Sequence, residues 1–434
     1  MKIEDLTLTR SIGLVRATAI VAGIIIGASI FVQPSEISRR VPDERGILLV
    51  WLLAGVLTLF GALVCAELSS AFPRTGGVYV FLKEAWSPAA GFLWGWAMFW
   101  SMHSGIVAAI AVVVARYVGF FIPLADVRSV AIAAIAILSA INYIGVRQGS
   151  ALQTFFTIAK VAAIAVLLII MTQAPGAHSA QSMPFRLRDF ILALSAGLFA
   201  YGGWHMVTYT AEETRAPEKT IPRALLLGIL IVTACYLGLN AAYLHVLPLD
   251  RVIASQRIAA DVATAVAGPR GATLVSLLVI VSALGALAGV ILAGPRVYYA
   301  MAQDGLLFRR IGAIHPRFRT PHLAIVLQAV WSSILVATGS YRALFTRVVY
   351  TEWIFFALMA AGVFILRRRA DYAPAYRTFA FVPIVFIVSA LAIVINQIVV
   401  EPMESAIGLL LVAAGLPVYF IWTRRQGAVA DAGH

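Results

Sequence analysis

The chain has 434 residues, of which 61% are hydrophobic and 12% charged, with a net charge of +13 and a mean hydropathy of +0.92. Soluble domains carry roughly 25% charged residues, so these figures exclude a large soluble core and point to a polytopic membrane protein. The positive charge does not indicate nucleic acid, because the basic residues sit in short loops between apolar runs, where membrane topology places them.

A helix that crosses a bilayer needs about 20 mostly apolar residues. About twelve such runs follow one another, near 12–38, 46–72, 88–121, 129–146, 150–173, 189–212, 223–247, 271–303, 322–339, 346–366, 377–400 and 404–423. Residues 1–10 are polar and no small-residue cleavage site follows the first run, so that run is expected to act as an uncleaved insertion signal. Only the connections 72–87, 174–188, 249–270 and 304–321 are long enough for surface helices. The small polar segment 426–434 is expected to be a disordered tail. Cys65 and Cys235 both fall in apolar runs, which argues against a disulfide framework.

Lys and Arg concentrate in alternate loops: Arg74 and Lys83, then Arg215, Lys219 and Arg223, then Arg309, Arg310, Arg317 and Arg319, then Arg367, Arg368 and Arg369. By the positive-inside rule these loops face the cytoplasm. An even number of spans then puts both termini there, in a cell (plasma or inner) membrane.

Two runs are interrupted by small residues. Residues 23–31 read Gly-Ile-Ile-Ile-Gly-Ala-Ser-Ile-Phe in the middle of the first, and 199–204 read Phe-Ala-Tyr-Gly-Gly-Trp in the sixth. Glycine inside a helix costs about 1 kcal/mol relative to Ala. Unwound backbone at membrane depth survives only when buried in protein or lining a wet cavity. Broken helices at corresponding places in two halves of a chain point to a transporter's binding site. A helix N-terminus past each break suits a carboxylate, and the carbonyls before it suit an ammonium group. A zwitterion can so be read without charged side chains. The alternative is a small-residue packing seam between helices. Five spans separate the breaks, and an odd number per repeat inverts the second repeat, giving a first repeat near 12–173, a second near 189–366 and extra helices near 377–423 in one domain, 1–434.

Lys160 lies about ten residues inside the fifth run. A Lys at a helix centre costs about 2.5–3.5 kcal/mol on insertion scales and is functional by default. The alternative is a side chain that snorkels to the interface. Glu67 reads either as an anchor or proton-path group, or as an interfacial carboxylate. Glu352 is expected at the outer interface. His103 reads as a satisfied interhelical histidine. His205, next to the second break, is a possible accessory residue. Arg296 is expected to pair with loop carbonyls or acidic groups in an inner gate. No phosphate-binding loop or zinc-protease signature occurs, nor a nucleophile elbow, so neither an enzyme, a metal site nor a cofactor is expected.

Several stretches resemble the amino acid–polyamine–organocation superfamily, and most of all its L-type amino acid transporter branch. Gly27-Ala28-Ser29-Ile30-Phe31 is similar to the first-span motif of the superfamily. Residues 199–204, with Glu212, Glu213 and the stretch 217–224, resemble the L-type sixth span. Residues 66–79 with Gly91, Phe92, Gly95 and Trp96 are similar to the second-to-third span signature, and 296–305 with His315, Pro316, Thr320 and Pro321 to the end of the eighth. The match covers most of residues 12–325.

The resemblance implies an all-α, LeuT-type 5+5 inverted repeat with discontinuous helices 1 and 6, two extra C-terminal helices, and alternating access. It implies that Ile25, Gly27, Ala28 and Ser29 meet a substrate carboxylate. Phe199, Ala200, Tyr201, Gly202 and Gly203 would meet the amine and side chain, with Phe199 as a gate. Lys160, in Thr157-Ile-Ala-Lys160-Val, matches the lysine that replaces a sodium site in sodium-independent members. Ser29 stands where the family usually has Gly, Ala28 where it has Ser, and His205 where the L-type branch commonly has Asn. The function so implied is sodium-independent exchange of neutral L-amino acids, with a proton-coupled amino acid or polyamine symporter as one alternative and an amino acid sensor without transport as another. No Cys occurs in 123–128, where animal members hold a heavy chain by a disulfide, so no such partner is expected.

Overall fold

The computed structural model describes residues 7–27, 29–31, 33–123, 126–176, 183–255, 257–340, 348 and 350–431. Among them there is no strand, only helices and one isolated bridge between Ile12 and Thr214. Among the described residues, eight helices are long and apolar enough to cross a membrane. Four shorter apolar helices, Leu14–Ile25, Val127–Tyr143, His322–Thr338 and Thr351–Leu366, occupy the other expected spans.

The first run folds as helix α1 (Leu14–Ile25), a 3₁₀ turn at Ser29–Phe31, and the separate helix α2 (Gln33–Arg40). α3 (Glu44–Ala71) is capped by Asp43, whose carboxylate accepts from the Gly46 N–H, satisfying a donor that the helix itself leaves unpaired. α4 (Val78–Ala85) lies in the connection that follows. α5 (Pro88–Ala97) starts on a Ser87 cap with proline in the first turn, and a π-helical turn at Met98–Met102 joins it to α6 (His103–Phe121). α7 (Val127–Tyr143) and α8 (Val146–Thr172) complete the first half.

The second half begins with α9 (Leu187–Ala200), which breaks at Tyr201–Gly203 and continues as 3₁₀ helix over Trp204–Glu213. α10 (Pro217–Val246) is followed by the short α11 (Leu249–Ala254) and α12 (Ile258–Ala267). Then come α13 (Pro269–Ala293), α14 (Pro295–Gln303), α15 (His322–Thr338) and α16 (Thr351–Leu366). α17 (Phe381–Val400), α18 (Pro402–Ala413) and α19 (Gly415–Asp431) end the chain. α19 runs on to Asp431, so the backbone from 426 is helical where a disordered tail was expected. Residues 427–431 follow a helix that is already nucleated, and adding a residue to such a helix is far easier than starting one.

α1 packs on α10, α8 and α13, and the 3₁₀ segment of the second break packs on α1 and α10. The two interrupted segments therefore lie side by side in the middle of the bundle. Helices α17 to α19 are far more exposed, with Val388, Ile395, Val399, Met403 and Leu410 all open, as expected of a lipid-facing surface.

Candidate functional site

At the first break the helix ends because its carbonyls are taken by side chains from elsewhere. Ile26 leaves helical geometry at ψ 83°. The Lys160 ammonium donates to the carbonyls of Gly23 (2.9 Å), Ile26 (2.6 Å) and Ser282 (2.8 Å). An ammonium has three N–H donors, and each meets one carbonyl. The Ser282 hydroxyl also reaches the Ile26 carbonyl at 3.1 Å. Lys160 is fully buried and does not snorkel. Gly23 is what lets α8 approach so closely: a Cβ there would overlap the side chains of Thr157 and Gln153.

At the second break Gly203 adopts φ +95°, a left-handed conformation that glycine adopts without strain. A Cβ at Gly203 would run into the Ile24 side chain. The two breaks thus touch directly, and they share a hydrogen-bond donor: the Tyr236 hydroxyl lies 2.9 Å from the Ile25 carbonyl and 3.1 Å from that of Ala200.

Between the breaks is a cavity of about 240 Å³. Of the residues singled out from the sequence, Ile25, Gly27, Ser29, Phe199, Ala200, Gly202 and Gly203 line it. Ala28 lies outside the described residues. Tyr201 does not reach the wall: it is fully buried, with its hydroxyl donating to the Trp51 carbonyl. Lys160 stands behind the first break and acts on the cavity only through the backbone that it holds.

Glu67 is remote from the cavity. It accepts from Arg367 Nε at 2.8 Å, from the Thr378 N–H at 2.8 Å and from the Tyr372 hydroxyl at 3.3 Å. It anchors α3 to the connection between α16 and α17. His205 is fully buried among Trp94, Trp204, Tyr209 and Phe356. Its Nε2 comes within 3.6 Å of Glu352 Oε1, too far for a hydrogen bond.

Glu352 itself lines the cavity, beside Trp353 and Phe356, and is not at the outer interface as expected. An acidic residue within an apolar run is the available signal; Glu352 sits in the first turn of α16, and only the packing of that turn against the broken helices brings it to the cavity wall. Tyr236 and Ser282 had no sequence signal, since a hydroxyl in an apolar helix reads as filler until its partner is known. His103 donates from Nε2 to the Val290 carbonyl, 2.9 Å away, as expected of an interhelical histidine.

On the side of the chain that carries the N-terminus the bundle is closed below the cavity. Arg296 forms a two-pronged pair with Glu213, both bonds 2.8 Å and both residues fully buried. The backbone N–H groups of Ser11 and Ile12 donate to the Glu213 carbonyl at 2.9 Å, and Arg215 N–H to the Ile12 carbonyl. Arg296 thus has the acidic partner anticipated for it. Farther out, Lys83 and Tyr79 donate to Asp304 at 2.8 Å. Burial alone would raise the Asp304 carboxyl, but these two bonds, with the charges of Lys83 and Arg74, hold it below its ordinary value.

Comparison with known proteins places this geometry. A family model described as amino acid permease matches residues 12–421. The chain is 33% identical over 440 residues to a serine/threonine exchanger of Bacillus subtilis (strain 168), covering 99% of this chain and all of that protein. It is 29% identical to the human b(0,+)-type amino acid transporter 1, over 96% of this chain and 88% of that one. It is 28% identical to the human cystine/glutamate transporter, over 97% and 87% respectively.

Proposed function

We propose, for a chain that belongs to the amino acid permease family and is a multi-pass amino acid transporter, that it exchanges neutral L-amino acids without sodium by alternating access. The observation that carries this reading is the 240 Å³ cavity bounded by both breaks. It is smaller than the roughly 300–1,000 Å³ of drug-sized sites, which suits one small zwitterion. In this reading the backbone around Gly27, Ala28 and Ser29 receives the carboxylate, and the Phe199–Gly203 stretch receives the amine and side chain. Phe199 gates the site. The buried Lys160 ammonium does the electrostatic work of a bound cation at the first break, which removes the need for sodium. The inverted 5+5 repeat supplies the rocking motion. Both termini face the cytoplasm of a cell membrane, and the chain works without a disulfide-linked heavy chain. The B. subtilis relative's name, a serine/threonine exchanger, favours small neutral substrates.

The test is uptake of labelled amino acids into proteoliposomes, with and without an amino acid preloaded inside. Exchange predicts uptake that needs the preload and ignores sodium. Uptake that requires sodium, or that proceeds equally into empty vesicles, overturns it.

A second reading, proton-coupled amino acid or polyamine symport, is favoured by Glu352 at the cavity wall with His205 3.6 Å behind it. A carboxylate at the cavity wall can take up and release a proton as the site opens and closes. Lumen acidification that accompanies uptake and vanishes in Glu352→Gln decides for symport.

A further inference from the structure

We propose that a second, basic cavity on the side of the termini is a headgroup site for an anionic phospholipid, one that holds this face of the transporter shut. The cavity has a volume of about 860 Å³ and is lined by Arg10, Arg16, Arg147, Arg215, Arg317 and Arg319. They come from four places in the chain: the entry to α1, the start of α8, the end of the second break's 3₁₀ segment, and the loop before α15. No Asp or Glu lines it, and none of the six is in an ion pair among the described residues. Three other basic groups on the same side are matched, Lys83 with Asp304, Arg367 with Glu67 and Arg296 with Glu213, but they do not converge on one cavity as the six arginines do. Six guanidinium groups around one cavity repel each other, and an anion with several acceptor oxygens relieves that repulsion through two-pronged bonds.

The loop is built to hold this arrangement. Arg319 adopts φ +55°, left-handed geometry uncommon for a residue with a side chain. It is held there by its own N–H on the His315 carbonyl (2.9 Å), while the neighbouring Thr320 hydroxyl donates to the Tyr143 carbonyl at 2.8 Å. Loop charge that served insertion alone would need neither convergence nor a strained backbone.

The rim selects a lipid over a free phosphate. Leu14, Val15 and Ile144 line the same cavity and are exposed by 37%, 70% and 45%. Apolar surface beside a basic pocket at a helix end is what an acyl chain with an anionic headgroup covers.

The arginines belong to two sets of segments. Arg10, Arg16 at the start of α1, and Arg215 sit on segments tied together by the Ser11, Ile12 and Arg215 backbone bonds. Arg147 is in the first turn of α8 and Arg317 and Arg319 in the loop before α15, which the Thr320 hydroxyl ties to Tyr143 at the end of α7. On this face the sets are joined directly by a weak bond, Arg16 Nη1 to the Ser150 hydroxyl of α8 at 3.4 Å; a headgroup between them adds further links and favours the state in which this face is closed. The inference rests on the orientation proposed above only in naming the cytoplasmic leaflet as the source of the lipid.

The test uses the full chain in nanodiscs of phosphatidylcholine with increasing phosphatidylglycerol, read by thermal melting and by exchange in matching liposomes. The wild type is expected to gain stability with phosphatidylglycerol and to shift its exchange rate. Arg147→Gln/Arg317→Gln/Arg319→Gln should lose both responses, while Arg309→Gln/Arg310→Gln, outside the cavity, should keep them. Should the triple variant not fold, Arg317→Gln and Arg319→Gln are titrated singly, each expected to weaken the apparent affinity for phosphatidylglycerol by about fivefold. Equal responses in wild type and cavity variants overturn the site. Equal stabilisation by soluble glycerol phosphate in pure phosphatidylcholine overturns the lipid and leaves a phosphate site. Exchange that persists in pure phosphatidylcholine keeps the transport reading intact whatever the lipid result.

Discussion

The hydroxyl of Tyr236 stands 2.9 Å from the carbonyl of Ile25, and the same oxygen stands 3.1 Å from the carbonyl of Ala200. One proton serves two acceptors, so a single side chain of α10 ties the ends of both interrupted helices together. Tyr236→Phe removes the donor shared by the two breaks, leaving the Ile25 carbonyl to the Gly27 N–H and weakening the Ala200 end, at about 1–3 kcal/mol. We expect lower thermal stability and slower exchange, with both ends of the site loosened. Unchanged melting and unchanged exchange would show that the bridge carries no load.

Lys160 is the second support. Lys160→Ala takes from the Gly23 carbonyl the ammonium that now satisfies it and leaves the Ile26 carbonyl to the Ser282 hydroxyl. Exchange is expected to fall by at least about tenfold, the equivalent of 1.4 kcal/mol. Lys160→Arg is expected not to rescue it, because a planar fork cannot meet three convergent carbonyls. Full activity of the Ala variant would remove Lys160 from the mechanism.

Gly203→Ala is predicted to be harmful for two separable reasons. The positive φ costs about 1 kcal/mol or more for a side-chain-bearing residue, and the new methyl collides with Ile24. Ile24→Ala should recover the collision part only. A double-mutant cycle on melting temperature checks this, and independence of the two substitutions would argue that the breaks do not touch.

Breaking the buried pair by Glu213→Gln or Arg296→Met leaves one charge unmatched, at about 3–5 kcal/mol. Because the pair closes the bundle below the cavity, each variant should also raise the labelling of cysteines introduced near Ile12 from the side of the termini. Labelling equal to wild type would mean that the pair is structural but not part of a gate.

Asp304 gives a pH dependence with a definite sign. Its folded-state carboxyl is held below the ordinary 3.8, so the unfolded chain binds its proton first as pH falls. The stability it contributes is present above pH 3.8 and is lost as pH drops through the folded value. Asp304→Asn should flatten the acid limb of the melting curve and leave the neutral region lower than wild type. An unaltered acid limb would place the acid sensitivity elsewhere.

The sequence by itself determined the class of the molecule. Period and length of the apolar runs set the spans, because no other structure buries its backbone in a bilayer. The glycine breaks at 23–31 and 199–204 were legible because such residues are wasteful in a plain helix, and Lys160 because a charge at that depth is costly. These are local penalties, and local penalties can be read from a chain. What the tertiary structure decided is who relieves them. Nothing in the sequence says that Ser282 and Tyr236 supply the donors, that Arg296 meets Glu213 and not another acid, or that Glu352 turns toward the cavity. Nor does it say that six arginines spread from position 10 to 319 face one another. Those are pairings between helices far apart in the chain, fixed by how the helices pack, and packing is a property of the whole bundle.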